Sequence, residues 1–420
     1  MAQPRIFYGW WVALAFSVAV FLSTGVRFAV GPFLKPVVAD LGLDRGSFSL
    51  VVALSLFLYG AFMPLVGVLV DRFGSRLVVT AGTLLLGASL AATGMSTALW
   101  QLYLFYGVLA AVGLAATGHV VGAAILARWF VRQRGTAISM LGGASMAGMT
   151  VLVPLAMWLI LTLGWRYAYA VLGLVTLALI LPLSLWVIRD RPEELGLHPD
   201  GVAWDGPFPL EGAVSGERTR LGDAVQVVTF WQLAGGLFTC GFSMSLLSAH
   251  GVPMLTDHGV DPMAASAALG LLGGTSIAFA MLLGYLSDRV GRKGILASIY
   301  VLRIFAIAML FLVREPGALM VVAAIGGLGM SGTLAMSAAL SGDIFGRYSM
   351  GTIFGMIFLS HQAGAAIGSW LGGFLFDLSG GYGSAWAVAC GLLLVGALLS
   401  LTIDERFKRP APEPILAGGR

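Results

Sequence analysis

Gly67-Val-Leu-Val-Asp71-Arg72-Phe-Gly74-Ser-Arg76 and Gly284-Tyr-Leu-Ser-Asp288-Arg289-Val-Gly291-Arg292-Lys293 are one ten-residue phrase written twice, 217 residues apart. The same offset joins Asp40-Leu-Gly42-Leu-Asp44 to Asp257-His-Gly259-Val-Asp261. An offset of 216 joins Gly135-Thr136, Met140 and Gly148 to Gly351-Thr352, Met356 and Gly364. Three separate segments at nearly one offset define an internal repeat. Each copy of the phrase closes one apolar run and opens the next. A unit of six spans repeated in one orientation gives two bundles related by an axis along the membrane normal.

Composition says what solvent those runs meet. Of 420 residues, 58% are apolar and 10% charged, against about 45–50% and about 25% in soluble domains. Mean hydropathy is +0.92. A soluble enzyme, a disordered chain and a disulfide scaffold are excluded, and lipid is the natural surrounding. A membrane helix needs about 20 apolar residues. Generously bounded runs cover 8–38, 47–70, 77–97, 100–127, 135–161, 165–188, 227–254, 263–286, 294–313, 317–342, 349–376 and 382–403. These twelve runs, without period-two alternation, fit helices and not barrel strands. The expected fold class is an all-α membrane protein of twelve transmembrane helices in two six-helix bundles.

The expected organisation is a first bundle over 1–188, a cytoplasmic linker over 189–225 rich in Pro, Gly and charge, and a second bundle over 226–420 with a short cytoplasmic tail. A surface amphipathic helix is expected from Glu217. The first apolar run is too long for a cleavable signal and lacks a small-residue cleavage pattern. Cys240 and Cys390 lie in apolar runs and suggest neither a disulfide framework nor a metal site. No nucleotide loop, metal cluster or nucleophile arrangement stands out, so no enzyme, cofactor, metal or nucleic-acid partner is expected.

With a cytoplasmic N-terminus, eighteen of the 24 Lys and Arg fall in inside segments, four outside, and two, Arg27 and Arg303, within spans. That bias predicts a multi-pass protein of the cell inner membrane with both termini cytoplasmic. Trp10, Trp11, Trp100 and Trp165 at span ends fit an interfacial belt.

Ionisable side chains within a span cost about 2.5–3.5 kcal/mol on insertion scales and mark function by default. At about 1.5 Å per residue, Arg27 lies about 26 Å along span one from Trp10, and His119 about 14 Å from Arg128. Arg303 and His361 lie about 15 Å from Lys293 and Gly351. All 20 acids lie in loops, termini or span ends. A cavity with Arg and His and no acid is electropositive and prefers an anion. Of Arg27, His119, Arg303 and His361, the two histidines are the side chains that could carry a proton, since imidazole titrates near about 6.5. For each histidine the alternative is an interhelical hydrogen bond.

The phrase G-x-x-x-D-R-x-G-x-R, present after span two and again after span eight, resembles the signature of the major facilitator superfamily, and the resemblance covers essentially the whole chain. It implies alternating access, with substrate bound between the halves near the midplane. It also implies that spans one, four, seven and ten line the cavity while two, five, eight and eleven form the rocking interface. Arg27, His119, His361 and Gln362 are then cavity candidates, and Arg303 in span nine contacts substrate or supports the cavity from behind. Gly67 and Gly284 allow close helix approach. Asp71 and Asp288 can face helix N-termini, near Gly351 and Gly135 respectively, with Arg72, Gly74, Arg76, Arg289, Gly291 and Arg292 completing a conformational latch. The plainer reading is that these charges only set topology. Gly364, Gly368 and Gly372, with Gly135, Gly142 and Gly148, suggest either sliding of spans eleven and five or static packing.

The run Gly25-Val-Arg27-Phe-Ala-Val-Gly-Pro-Phe-Leu-Lys35-Pro36, with Arg128-Trp-Phe130, Arg134-Gly135, Arg191-Pro-Glu-Glu194 and Phe358-Leu-Ser-His361-Gln362, is similar to bacterial members related to monocarboxylate transporters and oxalate:formate antiporters. That branch implies a small organic anion, often with H+, carried by one chain in a lipid bilayer. Span eight has no basic residue, Ala280 standing about where the branch's arginine falls, and span eleven has no lysine. Either Arg27 takes over the anion or the substrate is not a carboxylate. Two other readings stand beside it: an exporter of amphipathic or neutral molecules, and a transporter-like receptor or sensor.

Overall fold

The computed structural model describes residues 7–201, 220–330, 332–345 and 350–404. Among the described residues every regular element is helical. Span one is Tyr8–Phe28, continued by Val30–Leu41 after a break at Ala29. Spans two to six are Arg45–Phe73, Ser75–Gly94, Leu99–Trp129, Arg134–Leu163 and Trp165–Trp186. Spans seven to ten are Val228–Asp257, Pro262–Val290, Arg292–Leu312 and Pro316–Phe345. Span eleven is Met350–Ser379 and span twelve Gly383–Leu401. Eleven of the twelve are long and apolar enough to cross a membrane by length and composition. The other, span eleven, packs between spans two and seven.

The repeat is written into the packing. In the first half, span one packs on five, two on four, three on six and three on four. In the second half, seven packs on eleven, eight on ten, nine on twelve and nine on ten, each six positions on. The halves meet through spans two and eleven, five and eight, and one and seven. Exposed Leu65, Val68, Leu77, Leu174, Phe305 and Leu398 give the outside the apolar face that lipid requires.

Glycine sets how closely helices approach. Gly364, Gly368 and Gly372 of span eleven lie against the Phe238 and Phe242 carbonyls and the Leu246–His250 side chains of span seven. This ladder therefore packs within the second bundle and not across the halves. Gly148 likewise lies against Phe21 and Gly25 of span one, in its own bundle.

Contacts between the halves fade along the molecule. Spans two and eleven touch from Gly46 against Phe374 as far as Gly60 against Gln362. Spans five and eight touch where Thr150 and Met149 meet Gly270, Gly273 and Gly274. Toward the end that carries Phe7 and Asp404, a Cβ on Gly67, Gly135, Gly142 or Gly143 would meet nothing within 4 Å among the described residues. Among the described residues the bundles meet at the far end, formed by loops such as 42–44 and 258–261, and part toward the linker end.

The start of the linker belongs to the first bundle. Asp190 accepts hydrogen bonds from the Ser75 amide, at 2.6 Å, and from the Ser75 hydroxyl at the start of span three. Asp200 accepts from the amides of Val131 and Arg132 at 3.1 and 2.8 Å. Residues 202–219, which include the start of the amphipathic helix expected from Glu217, lie outside the described residues. Just beyond, only the four residues Leu221–Ala224 are helical before span seven.

Candidate functional site

Proline sets the geometry around Arg27. Pro32 has no N–H to offer the Phe28 carbonyl, and its ring crowds that group, so the first helix ends at Phe28 and restarts at Val30. Arg27 therefore sits in the last turn before a break. Its guanidinium lies 5.1 Å from the ring centroids of both Phe28 and Tyr59, a contact worth about 0.5–2 kcal/mol. Among the described residues no carboxylate pairs with it. It opens on two hollows. One is bounded by Ser23, Thr24, Tyr59 and Leu114. The other lies between the halves, bounded by Phe28 and Leu56 of the first and by Gly241, Met244, Ser245, Ser248, His361 and Ala365 of the second. No acid lines either.

His361 faces Arg27 across this second hollow. Its ring stacks on Phe358 with centroids 5.3 Å apart. Gln362 Nε2 donates to the Leu56 carbonyl at 3.3 Å, which turns Gln362 Oε1 toward His361 Nδ1 at 2.9 Å. Gln362 is thus a bridge between spans eleven and two, packed on Gly60, and it holds the imidazole in place.

Both fourth helices of the repeat are broken. Span four leaves the helix at Gly118, φ −85° and ψ −177°, and restarts at His119. Span ten is interrupted at Gly332, φ +82°, between Met330 and Thr333. His119 opens the second segment of span four, and its buried Nδ1 meets no hydrogen-bond partner among the described residues. Arg303 repairs the break in span ten. Fully buried, it donates from Nε to the Gly329 carbonyl at 2.6 Å and from Nη2 to Thr333 Oγ1 at 3.1 Å. Its Nη1 reaches Cys240 Sγ and Ser243 Oγ, each at 3.2 Å.

A polar seam closes the far end. Asp257, at the end of span seven, pairs with Lys35 Nζ at 2.8 Å and with Arg45 Nη1 at 2.5 Å. Asp377 of span eleven accepts from the amides of Arg45 and Gly46 at 3.2 and 2.6 Å. Arg45 also lies 3.7 Å from the Phe376 ring centroid. Beside the seam Asp44 caps span two, and the Ser47 amide, 2.5 Å away, holds its carboxyl below the usual carboxylate range.

At the linker end Asp71 pairs within its own bundle, with Arg128 Nη2 at 2.8 Å. Arg292 pairs with Asp343 in the second bundle. Arg72 lies over Phe73 and Arg289 over Tyr285. The Asp288 side chain lies outside the described residues.

Two similar six-helix units meet at one end around an arginine that no described carboxylate pairs with. Residues 16–250 and 233–418 each match the family model described as Major Facilitator Superfamily. The chain belongs to the major facilitator superfamily. The uncharacterized MFS-type transporter YcxA of Bacillus subtilis is 26% identical over 414 residues, 95% of each chain. Monocarboxylate transporter 13 of Bos taurus is 25% identical, over 96% of this chain and 91% of its own. The oxalate:formate antiporter of Oxalobacter formigenes is 22% identical, over 96% and 94%. A bacterial homolog to the human lysosomal transporter Spinster, in an inward-facing and unoccupied conformation, has a TM-score of 0.69 at 16% identity over 96% of each chain. That likeness carries the fold.

For this superfamily transporter, the residues singled out in the sequence fall in three places. Arg27 and His361 share one cavity, and Gln362 sits directly behind it. His119 and Arg303 line neither hollow. The seam at the far end escaped the sequence reading, His250 above all. That residue lies inside the seventh apolar run, so the same search for ionisable residues within spans reaches it. Nothing local marks Arg45 as the partner of Asp257.

Proposed function

We propose that this superfamily member is a secondary carrier of a small organic anion, with a monocarboxylate the best-fitting class, working by alternating access. The observation that carries the reading is Arg27: a guanidinium at the boundary between the halves, steadied by two aromatic faces and without a carboxylate partner among the described residues. A substrate carboxylate would supply the missing partner through charge-assisted hydrogen bonds. Phe28, Leu56, Met244 and Ala365 around it suit a short apolar body, which also favours amphipathic solutes as a second reading. His361 is the proton-carrying candidate within the cavity, with Gln362 fixing its orientation.

In this account the chain is a monomer in the cell inner membrane with both termini cytoplasmic, following the bias of Lys and Arg. Residues 1–188 and 226–420 form the bundles, and 189–225 is the cytoplasmic linker. The linker end then faces the cytoplasm, and the arrangement described is open inward. The paired motif, Gly67 to Arg76 and Gly284 to Arg292, latches the linker end when the carrier opens outward. Pairing of Asp71 with Arg128 is its resting arrangement when the latch is released.

The test is uptake of labelled monocarboxylates by the purified chain in liposomes, with and without an inward pH gradient. Saturable uptake of at least one carboxylate, stimulated by the gradient, is expected. No uptake across a panel of short carboxylates overturns the reading.

A further inference from the structure

We propose that His250 is a protonation site that governs the seam at the far end: neutral, it holds the two halves together, and protonated, it releases them. The proposal rests on the alternating-access reading and adds to it a proton site outside the Arg27 cavity.

His250 is fully buried in span seven, its ring set among Ser49 of span two, Ser369 of span eleven and Tyr382 at the start of span twelve. Its Nε2 lies 2.8 Å from the Ser369 carbonyl. A carbonyl only accepts, so Nε2 carries a hydrogen. Ser49 Oγ, 3.3 Å from the same nitrogen, donates its own hydrogen to the Arg45 carbonyl at 2.6 Å and can accept from the imidazole. Nδ1 lies 3.2 Å from the Tyr382 hydroxyl. That hydroxyl receives Arg45 Nη1–H at 2.9 Å, so its own hydrogen is available to Nδ1. The wiring closes with a neutral ring. Arg45 donates to Tyr382, Tyr382 donates to His250, and His250 donates to span eleven and to span two.

A second proton on the ring has no place in this arrangement. Nδ1 becomes a donor facing a phenol oxygen that already receives Arg45, and the phenol hydrogen loses its acceptor. Two cations then share one neutral oxygen. The surrounding acids offer no relief. Asp257 is engaged by Lys35 and Arg45, and Asp377 by the amides of Arg45 and Gly46. Span eight adds near this end only Asp261, which caps its own helix, and His258 follows Asp257 at the end of span seven. An imidazolium is therefore relieved by separating span two from spans seven and eleven and admitting water. Acid on the far side recruits the open-outward state, so proton and anion would meet the carrier from the same side.

Spin labels at Leu163→Cys and Met263→Cys, on either side of the far end, read the opening in Cys390→Ala full-length protein in nanodiscs. Between pH 8 and pH 5 the long-distance population is expected to rise by up to about tenfold per pH unit below about pH 6.5, the ordinary value of an imidazole that water reaches in the open form. His250→Gln, which keeps an amide donor for Ser369 but takes up no proton, should show no pH response. Tyr382→Phe, which keeps the ring on Arg45 and Phe376 but loses the hydroxyl, should open more at pH 8 and respond less. An unchanged pH response in His250→Gln, or a flat response in the parent, overturns the proposal. Asp257→Asn separates the two levels: opening in that variant with a flat parent leaves alternating access standing, whereas no opening in any variant at any pH removes both.

Discussion

The carboxylate of Asp377 caps a helix that belongs to the other half of the molecule: its oxygens lie 2.6 Å from the Gly46 amide and 3.2 Å from the Arg45 amide, at the first turn of span two. The first amides of a helix have no partner inside it, and an anion there also meets the positive end of the helix dipole. A cap is worth about 0.5–2 kcal/mol. Placed across the seam, that energy biases which end of the carrier is open. Asp377→Ala should shift the equilibrium toward the far-end-open form by about 2- to 30-fold. Hydrogen exchange of amides 45–49 is the measurement; unchanged exchange would remove Asp377 from the seam.

Glycines offer a paired test of packing. A Cβ on Gly364 would drive into the Phe238 carbonyl, whereas a Cβ on Gly142 meets nothing within 4 Å. Gly364→Ala should destabilise the second bundle by about 1–3 kcal/mol, read as a lowered unfolding midpoint in detergent. Gly142→Ala should leave that midpoint in place. Equal effects would contradict the contrast in packing.

Arg303 is predicted to act on stability, not on affinity. Its four acceptors, in spans seven and ten and at the break between Met330 and Thr333, lose their donor in Arg303→Leu. Each buried group left unsatisfied costs about 1–3 kcal/mol, so the variant should fold poorly, and Arg303→Lys should recover part of the loss. Substrate affinity of the folded fraction should change less than about threefold, a shift below 1 kcal/mol. A larger loss of affinity at intact stability would put Arg303 in contact with substrate.

Asp71 tests the latch. Among the described residues it pairs with Arg128 of its own bundle, at an exposed site, where an ion pair contributes about 0–1 kcal/mol. Asp71→Asn should therefore leave stability alone but slow turnover severalfold without altering the order of preferred substrates. Parent-like turnover would sink the latch.

The repeat was legible because its signals are local. An offset of 217 between two charged loops and twelve apolar runs are properties of neighbouring residues, and the packing follows the repeat pair for pair. The ion pairs of the seam were not legible, because they break the repeat. Asp40 and Asp257 occupy equivalent positions, yet Asp40 pairs with Arg166 of its own bundle and Asp257 reaches across to Lys35 and Arg45. No spacing rule announces such a difference. The breaks in spans four and ten were missed for a related reason. Gly118 and Gly332 sit in unbroken apolar runs, where hydropathy sees no interruption. Arg27 and His361 were found because an ionisable side chain in lipid is conspicuous in any sequence. Arg303 was found the same way, but its orphan carbonyl at Gly329 belongs to the three-dimensional break.

Binding of a transported carboxylate to the parent, Arg27→Lys and Arg27→Ala proteins is the most direct measurement of the central claim. The account predicts that Arg27→Ala loses at least about tenfold in affinity, the equivalent of about 1.4 kcal/mol. Arg27→Lys should fall between the two, because it keeps the charge without the planar fork. Equal affinity in all three proteins would contradict it.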